Sequence, residues 1–437
     1  MEGFINKDLL GVIMIHNLIE WNPWWEGKNF TALTGFARQK TKDILSKIEL
    51  NLIQTVLGVR RCGKSTILYQ IITELLNKGT NSREILLINL EDDILSATEL
   101  DKIIEVYIEH VKPEKLGYLF VDEIQNREKW EFWIKKQHDL KKFKAIFVSG
   151  SSSLSSTYST LLTGRQLLWV IEPLNFNEFL QFKKFNVPKI IGMETKARIK
   201  GMLNEYIHYG GFPQVALSED KHAILVSYYT TIEEKDIIMK QNLDAQKVKM
   251  LLRFLLTNIA RLHSHKKLAS IINCSTTTIG SYMTAFENAF LIFQVPIFSY
   301  KVKDQLRYPR KIYCIDTGLR NVASFLISAD KGWLYENIVA VNLRKNNEVY
   351  YWKNIKQQEI DFVVKNNLKV VQLVQVCSDI ENPEVKKREI SAMLMASKEL
   401  RCNNLLIITD DYEGKETIEK KDVHYVPLWK WLLADGP

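Results

Sequence analysis

The sequence of 437 residues lacks several features that would place it in a special class of protein. Its five cysteines, at positions 62, 274, 314, 377 and 402, form no C-x-x-C pair, which excludes a disulfide framework and the usual zinc pattern. It has no run of about 20 apolar residues, the length that a membrane helix needs. The apolar stretch 9–15 is short and lacks the small-residue cleavage site of a secretory signal. We therefore expect a cytoplasmic protein that keeps its thiols reduced and has no membrane partner.

The length predicts two to four domains, because a single hydrophobic core rarely grows beyond about 300 residues. The composition, 46% hydrophobic and 25% charged, is ordinary for a globular protein. The positive charge is concentrated in one region. Between Gln246 and Ile312, eleven Lys and Arg residues face two acids, an excess of nine in a chain whose net charge is +8. A basic stretch of this kind favours contact with the phosphates of nucleic acid.

A glycine-bounded loop follows the apolar run 52–57 and leads into a stretch of helical periodicity. It matches the pattern G-x-x-x-x-G-K-[ST], in which backbone N–H groups surround a polyphosphate at the start of a helix. Lys64 is expected to reach the β- and γ-phosphates of ATP, and the Ser65 hydroxyl is the expected Mg²⁺ ligand. The predicted nucleotide-binding residues are Gly58, Val59, Arg60, Arg61, Cys62, Gly63, Lys64, Ser65 and Thr66.

Alternating strands and helices follow this loop, which predicts a parallel α/β sheet. The run 117–121 is an apolar strand that ends in two carboxylates, Asp122 and Glu123. At the tip of a strand beside the loop, Asp122 is expected to hold Mg²⁺ together with Ser65. Glu123 is placed to polarise an attacking water as a general base. Ser151, after the next strand, is expected to contact the γ-phosphate or the water; the alternative is a flexible serine-rich turn.

The order of these motifs resembles the AAA+ ATPases, and more narrowly a prokaryotic, chiefly archaeal, family with a P-loop domain, a winged helix and a nuclease-like C-terminal domain. The resemblance implies an AAA+ core that binds ATP and Mg²⁺. It also implies that Arg165 lies near the nucleotide as a finger or sensor, the alternative being a surface arginine. The matching segments are residues 58–66, 121–123, 149–152, 162–165, 172–179 and 209–213.

Residues 176–237 are predicted to be mostly helical, with a break where Gly210, Gly211 and Pro213 require a turn. The resemblance implies that this stretch is the helical lid of the AAA+ module. Lid helices sense the nucleotide by moving against the sheet.

The basic stretch contains a predicted helix-turn-helix at residues 263–291, with Ser275 as the N-cap of the second helix. Residues 291–315 then predict two strands around a basic loop, 301–311, which would be the wing of a winged helix. The alternative is a winged helix that contacts only protein. The second helix would present small hydroxyl groups toward a DNA groove, from Thr276, Thr277, Thr278 and Ser281.

The C-terminal part of the chain predicts an α-β-β-β-α-β order that resembles the PD-(D/E)XK nuclease fold. In that resemblance Glu336 is the acid of the first helix and Asp361 is the central metal ligand. The E-x-K tripeptide expected on the next strand is replaced here by residues 375–377, Gln-Val-Cys. An amide binds Mg²⁺ poorly compared with a carboxylate, and cysteine cannot replace an ammonium. This predicts a degenerate domain used for binding or assembly, the alternative being a lysine recruited from elsewhere, Lys353 or Lys369.

These features together predict an α/β protein, a Mg²⁺-dependent AAA+ ATPase that couples its nucleotide state to contact with double-stranded DNA through residues 246–312. Two alternatives stay open: a nucleotide-dependent switch that controls a protein partner or self-association with slow hydrolysis, and an ATP-gated nuclease. The predicted domains are an AAA+ domain with its N-terminal segment (1–174), a helical lid (175–242), a winged helix (243–325) and a nuclease-like domain (326–437).

Overall fold

The computed structural model describes residues 7–151, 161–324 and 331–434 of the chain. The chain divides into two compact units, Met1–Glu172 and Pro173–Pro437. Ser152 of the serine-rich turn and the predicted domain boundary at 325/326 lie outside the described residues. The other predicted boundaries stay predictions. Every helix within the described ranges is too short or too polar to serve as a membrane span.

A five-stranded parallel sheet forms the centre of the first unit, which confirms the predicted fold class. The order across the sheet is β2-β3-β4-β1-β5. The first four strands are buried along their whole length, because helices cover both faces of the sheet. The strands are β1 (Ile53–Gly58), β2 (Ile85–Asn89), β3 (Tyr118–Asp122), β4 (Ala145–Gly150) and β5 (Gln166–Ile171).

The N-terminal segment of the first unit covers the edge strand β2. The side chain of Asn22 accepts a hydrogen bond from the Leu87 N–H at 2.7 Å and donates one to the Leu87 carbonyl at 2.9 Å. Its amide therefore satisfies a strand edge that would otherwise be open to pairing. The helices of this unit are Lys7–Trp21, Thr31–Thr34, Gln39–Leu45, Lys64–Asn77, Asp93–Ala97, Leu100–Val111 and Trp130–Asp139, with 3₁₀ turns at Pro23–Glu26, Ile48–Leu50, Ser82–Glu84 and Ile124–Asn126.

The second unit begins with the predicted helices and the predicted break at Gly210 and Gly211. Gly210 has φ +73°, and a Cβ there would collide with the buried carboxylate of Asp316. The N–H of Gly211 donates to that carboxylate at 2.7 Å, so the glycine pair wraps closely around it. Burial raises the pKa of Asp316 to about 6, against these backbone hydrogen bonds. The helices are Phe176–Phe182, Met193–Tyr209, Pro213–Leu217, Lys221–Thr231 and the π-helix Ile232–Met239.

A helix pair and a small antiparallel sheet follow, in the order that the sequence predicts. The turn between the two helices contains Asn273 at φ +54°, and the Ser275 hydroxyl accepts the Thr278 N–H at 3.0 Å as the predicted cap. The three strands lie in the order β6-β8-β7. The elements are the helices Ala245–Thr257, His265–Ile272, Thr276–Asn288 and Thr317–Ala323, and the strands β6 (Leu262–His263), β7 (Ile292–Val295) and β8 (Arg310–Cys314).

The connection between β7 and β8 differs from the open basic loop that the sequence predicts. It contains the helix Val302–Arg307. The residues before that helix bond to the next sheet: the Phe298 N–H donates to the Tyr351 carbonyl at 2.6 Å, and the Tyr351 N–H donates to the Pro296 carbonyl at 3.0 Å. The connection is therefore held at its base by backbone pairing to the C-terminal sheet, instead of projecting freely as a wing.

A six-stranded mixed sheet forms the C-terminal part of the second unit, in the order β13-β14-β12-β11-β10-β9. The predicted α-β-β-β-α-β succession is present, and an additional hairpin and helix follow it. The strands are β9 (Glu348–Lys353), β10 (Glu359–Asn366), β11 (Lys369–Val376), β12 (Leu405–Thr409), β13 (Gly414–Ile418) and β14 (Lys421–Pro427), and the helices are Lys331–Leu343, Pro383–Leu400 and Leu428–Leu433.

Candidate nucleotide site

The glycine-bounded loop lies where β1 ends and the helix Lys64–Asn77 begins, as the sequence predicts. Gly58 has φ +151°, and a Cβ there would collide with the carbonyl of Ile171 on β5. Gly63, just before the helix, has φ +101°. Both positions therefore require glycine, and the loop ends at the N-terminus of a helix of 14 residues. Free N–H groups and the helix dipole make such a terminus favourable for phosphate.

Lys64 lies inside this loop, with 4% of the residue exposed. Its ammonium donates to the carbonyls of Gly58 and Val59, both at 3.3 Å, and lies 3.8 Å from the carboxylate of Glu123. These contacts are long for hydrogen bonds and for an ion pair. The ammonium is thus held in place by weak partners that a phosphate oxygen could replace.

Asp122 ends β3, which is separated from the loop strand β1 by β4. Ser149 lies on the intervening strand β4, and its hydroxyl donates a hydrogen bond to the Asp122 carboxylate. Burial and then the nearby Glu123 raise the pKa of Asp122, while hydrogen bonds from Ser149 and Ser65 and the Lys64 charge lower it. The Ser65 hydroxyl therefore lies close enough to the Asp122 carboxylate to lower its pKa, and their shared role toward Mg²⁺ stays a prediction.

Glu123 follows at φ +51°, a left-handed conformation that is uncommon for a residue other than glycine. Its N–H donates to the Asp122 carboxylate at 3.1 Å and to the Ser149 hydroxyl at 3.3 Å. The Gln125 side-chain amide donates to the Glu123 carboxylate and, at 3.3 Å, to the Ser151 hydroxyl. Gln125 and Ser149 thus belong to the cluster although the motif patterns assign them no role, since only the folded turn brings them there.

The remaining loop residues divide into buried and solvent-facing positions. The side chains of Val59 and Cys62 are buried, and burial raises the pKa of the Cys62 thiol. Arg60 lies 3.5 Å from Glu91, and Arg61 has φ +69°. Thr66 is partly buried in the first turn of the helix. Their predicted contacts with a nucleotide would therefore be made by the backbone of this loop, and these roles stay predictions.

Arg165 is far from this cluster, contrary to the expectation that it lies near the nucleotide of its own chain. It directly precedes β5, and its carbonyl accepts the N–H of Ile53 at the start of β1. Lys64 follows the opposite end of β1, six residues or about 18 Å along the strand. The Arg165 guanidinium donates to Asp139 at 2.9 Å on that far edge. This position fits the alternative of a surface arginine, and a role as a finger or sensor stays a prediction.

The basic stretch offers less free charge than its composition implies. Lys311 is buried among carboxylates of the C-terminal part, and Arg261 stacks on the ring of Trp333 at 4.0 Å. Lys247 pairs with Asp244, and Lys249 pairs with Glu234. At least four of the eleven cations are therefore engaged within the fold. The second helix of the pair exposes the predicted hydroxyl side chains of Thr276, Thr277 and Ser281, with Thr278 partly buried.

Family comparisons divide the chain into three stretches. Residues 51–180 match an AAA domain, residues 200–330 match a domain of unknown function (DUF8612), and residues 331–431 match a second domain of unknown function (DUF4143). The AAA match covers the loop, Asp122 and Glu123. It confirms the resemblance to AAA+ P-loop ATPases, while the winged-helix and nuclease-like assignments stay predictions.

Two relatives match most of the chain. The uncharacterized protein MJ1544 of Methanocaldococcus jannaschii is 36% identical over 419 residues, which cover 91% of this chain and 92% of that protein. An uncharacterized protein of Haemophilus influenzae is 28% identical over 396 residues, covering 87% and 94%. Among solved structures, the Bacillus subtilis DNA clamp loader delta protein matches 57% of this chain and 88% of that chain at 11% identity, with a TM-score of 0.24, too low to carry an argument.

Proposed function

The chain belongs to the protein family of MJ1544 and contains an AAA domain, and from this premise we propose that it is a Mg²⁺-dependent ATPase. The observation that carries the proposal is the convergence of Lys64, Asp122 and Glu123 at the carboxyl end of the parallel sheet. Three buried ionisable groups at the N-terminus of a helix are costly to maintain without a ligand of matching charge. The phosphates of a nucleoside triphosphate would supply negative charge to Lys64, and the Mg²⁺ that accompanies them would supply positive charge to the two acids.

The contact between Ser65 and Asp122 fits Mg²⁺, because a hydroxyl and a carboxylate are the hard oxygen ligands that this ion prefers. When bound, the ion would offset charge on the phosphates. Lys64 would exchange its long contacts with Gly58 and Val59 for phosphate oxygens. The backbone N–H groups of the loop would hold the rest of the polyphosphate.

Glu123 would act as the general base that takes a proton from the attacking water. Gln125 and Ser151 would orient it, since the Gln125 amide donates to both the Glu123 carboxylate and the Ser151 hydroxyl. The carbonyl oxygen of Gln125 is buried and has no partner among the described residues. That oxygen is placed to accept a hydrogen bond from a water held beside Glu123.

The same proposal extends to contact with double-stranded DNA through residues 246–312. It is supported by the exposed hydroxyl face of the helix Thr276–Asn288 and by exposed lysines such as Lys266 and Lys267, one helix earlier. Small hydroxyls can bond phosphates without bulk, and lysines neutralise phosphate charge. ATP turnover would then depend on DNA.

The test is ATP turnover of the full chain in Mg²⁺, with and without double-stranded DNA, over a range of salt. We expect DNA to stimulate turnover, and the stimulation to weaken as salt rises. Replacing Lys266 and Lys267 together by Ala should reduce the slope of log affinity against log salt by about two. The control replaces Lys141 and Lys142 by Ala, an equal charge change on the first unit. Turnover that ignores DNA at every salt would end the DNA proposal and leave the ATPase proposal standing.

One observation favours the second candidate, a nucleotide switch that controls a protein partner. The segment expected to be a basic wing exposes apolar side chains: 68% of Val302 and 70% of Leu306 are exposed, on one face of the helix Val302–Arg307. Apolar groups of this size suit a protein surface better than a DNA groove. Two results would favour the switch. ATP turnover would be slow and unaffected by DNA, and Leu306→Ala would no longer bind a protein partner that the wild-type chain captures.

A further inference from the structure

A buried lysine and three carboxylates meet at one point of the second unit. The Lys311 ammonium lies 2.8 Å from one oxygen each of Glu336, Glu359 and Asp361. Lys311 belongs to β8, Glu336 to the helix Lys331–Leu343, and the other two acids to β10. Only 2% of the lysine side chain is exposed. An ammonium has three N–H donors, and each of the three has its own carboxylate oxygen here.

The resemblance to PD-(D/E)XK nucleases implies a divalent metal between Glu336 and Asp361, and the residues present do not fit one. Gln375 has no free oxygen for a metal, because its carbonyl accepts the Asp361 N–H at 3.0 Å and its amide donates to Glu389 at 2.8 Å. Burial raises the pKa of the Cys377 thiol to about 11, so it stays neutral. In the described ranges, no group of three or more His, Cys, Asp and Glu side chains is arranged to hold a metal ion.

We propose that Lys311 is the resident cation of this carboxylate centre, and that the centre fastens β8 to the C-terminal sheet instead of catalysing hydrolysis of nucleic acid. The ammonium stands where a metal would stand. It comes from β8, which precedes the C-terminal sheet in the chain, and not from Lys353 or Lys369, the two lysines that the sequence offers as replacements.

Contacts around the centre also fasten β8 to the helix Lys331–Leu343. The Tyr313 hydroxyl, also on β8, donates to Glu336 at 2.6 Å. The fully buried side chain of Asn337 accepts the Cys314 N–H and donates to the Cys314 carbonyl, both at 2.8 Å. The second oxygen of Asp361 accepts the Val376 N–H at 3.0 Å, which fixes the carboxylate toward the lysine. One oxygen of each acid thus holds Lys311 of β8, while Asp361 and Glu359 also bond to β11 and β9.

The test compares Lys311→Ala with Lys353→Ala in the full chain without nucleotide. Lys353 shares Glu359 at 3.2 Å but exposes 25% of its side chain, so it is the matched control. Removing the buried partner leaves uncompensated carboxylates and should lower the Tm of the second unit by roughly 10 °C, against little change for the control. Mn²⁺ should bind Lys311→Ala at about one equivalent and restore part of the lost Tm, because three carboxylates then face a vacated cation position. In calorimetry, wild type should not bind Mn²⁺ at this centre. Wild type and Glu336→Gln should therefore take up the same amount of Mn²⁺.

Two results would overturn the proposal. The first is Mn²⁺ uptake by wild type that disappears in Glu336→Gln, which would mean that the centre holds metal and that Lys311 yields to it. The second is a Tm for Lys311→Ala equal to that of Lys353→Ala. If Lys311→Ala does not fold, the single variant Lys311→Met is compared with the double variant that carries both Lys311→Met and Asp361→Asn. The proposal requires the double variant to be the more stable of the two, because it removes both the cation and one of its acidic partners.

Discussion

The nucleotide site of the first unit and the carboxylate centre of the second both hold a buried lysine beside acidic side chains, yet their distances differ. Lys64 has two carbonyls at 3.3 Å and Glu123 at 3.8 Å. Lys311 has three carboxylate oxygens at 2.8 Å. The first ammonium is held by long, replaceable contacts, whereas the second has a short contact for each of its donors.

This difference teaches that residue type alone does not tell a binding site from a structural one. A phosphate that approaches Lys64 gains a charge-assisted hydrogen bond and displaces only weak ones. A ligand that approaches Lys311 would have to break three short contacts in a buried environment, two of them with the carboxylates of Glu359 and Asp361, which is costly. Lys64 is therefore poised for a ligand, and Lys311 is satisfied without one. Four predictions test how far this contrast holds.

The largest effect is expected for Lys64→Ala. It should lower ATP turnover by roughly 10³-fold or more, because it removes the cation that stabilises transferring phosphoryl charge. The unfolding transition should hardly move, since the lysine has only weak partners. Lys78→Ala, an exposed lysine past the end of the same helix, is the control. Turnover that survives Lys64→Ala would refute the site.

Glu123→Gln should separate turnover from binding. Losing the general base should slow turnover by roughly 10²–10⁴-fold. ATP affinity, measured by fluorescence of a labelled nucleotide, should stay within about twofold, because the amide keeps the size of the side chain. Gln125→Ala should have the same sign and a smaller effect. Equal loss of ATP binding and turnover in Glu123→Gln would contradict the assigned role.

The free energy of unfolding should depend on pH through the carboxylate centre. Burial and the nearby Asp361 raise the pKa of Glu336 from 4.5 to about 8, against Lys311 and Tyr313. The folded state therefore keeps this proton where the unfolded state has lost it, so stability from Glu336 is complete below pH 4.5 and is lost as pH rises toward 8. The loss should reach on the order of a few kcal/mol in urea unfolding.

Glu336→Gln isolates that contribution, because Asp316 and other titrating groups remain in both proteins. The difference in unfolding free energy between wild type and Glu336→Gln should change with pH only between pH 4.5 and 8. A constant difference across this window would show that Glu336 does not keep its proton in the fold.

Arg165→Ala should have the smallest effect on a single chain. Its partner Asp139 lies at the surface, and exposed pairs of this kind add little to stability. ATP affinity should stay within about twofold, since Arg165 is on the far edge of the sheet from Lys64. A finger that acts in another copy would instead lower turnover only at protein concentrations where copies associate. Loss of ATP binding by a monomer would contradict the position of Arg165.

Local patterns in the sequence predict much of this molecule. The loop 58–66, the buried strands and the helix-turn-helix depend on spacing and apolar periodicity within short windows, and the structure has them where the sequence places them. Strand β5, Gln166–Ile171, is likewise an apolar run in the sequence. These are the parts of the fold that depend on neighbours in sequence.

The parts that the sequence does not predict depend on contacts between distant segments. The position of β4 between β1 and β3 gives Ser149 its place beside Asp122, and no local pattern encodes that order. Lys311 was counted as a surface cation, although its partners lie 25 and 50 residues further along the chain. A positive side chain in a basic stretch carries no local mark of burial.

Lys311 also bears on how the chain can be divided. A cut at the predicted 325/326 boundary would leave the lysine in one fragment and Glu336, Glu359 and Asp361 in the other. Lys311 would then lose its acidic partners and Glu336 and Asp361 their cation, and the Cys314 backbone and the Asn337 amide, which bond to each other in the intact chain, would be separated as well. The helix pair and the C-terminal sheet therefore depend on each other for stability. We expect that neither part folds when it is expressed without the other.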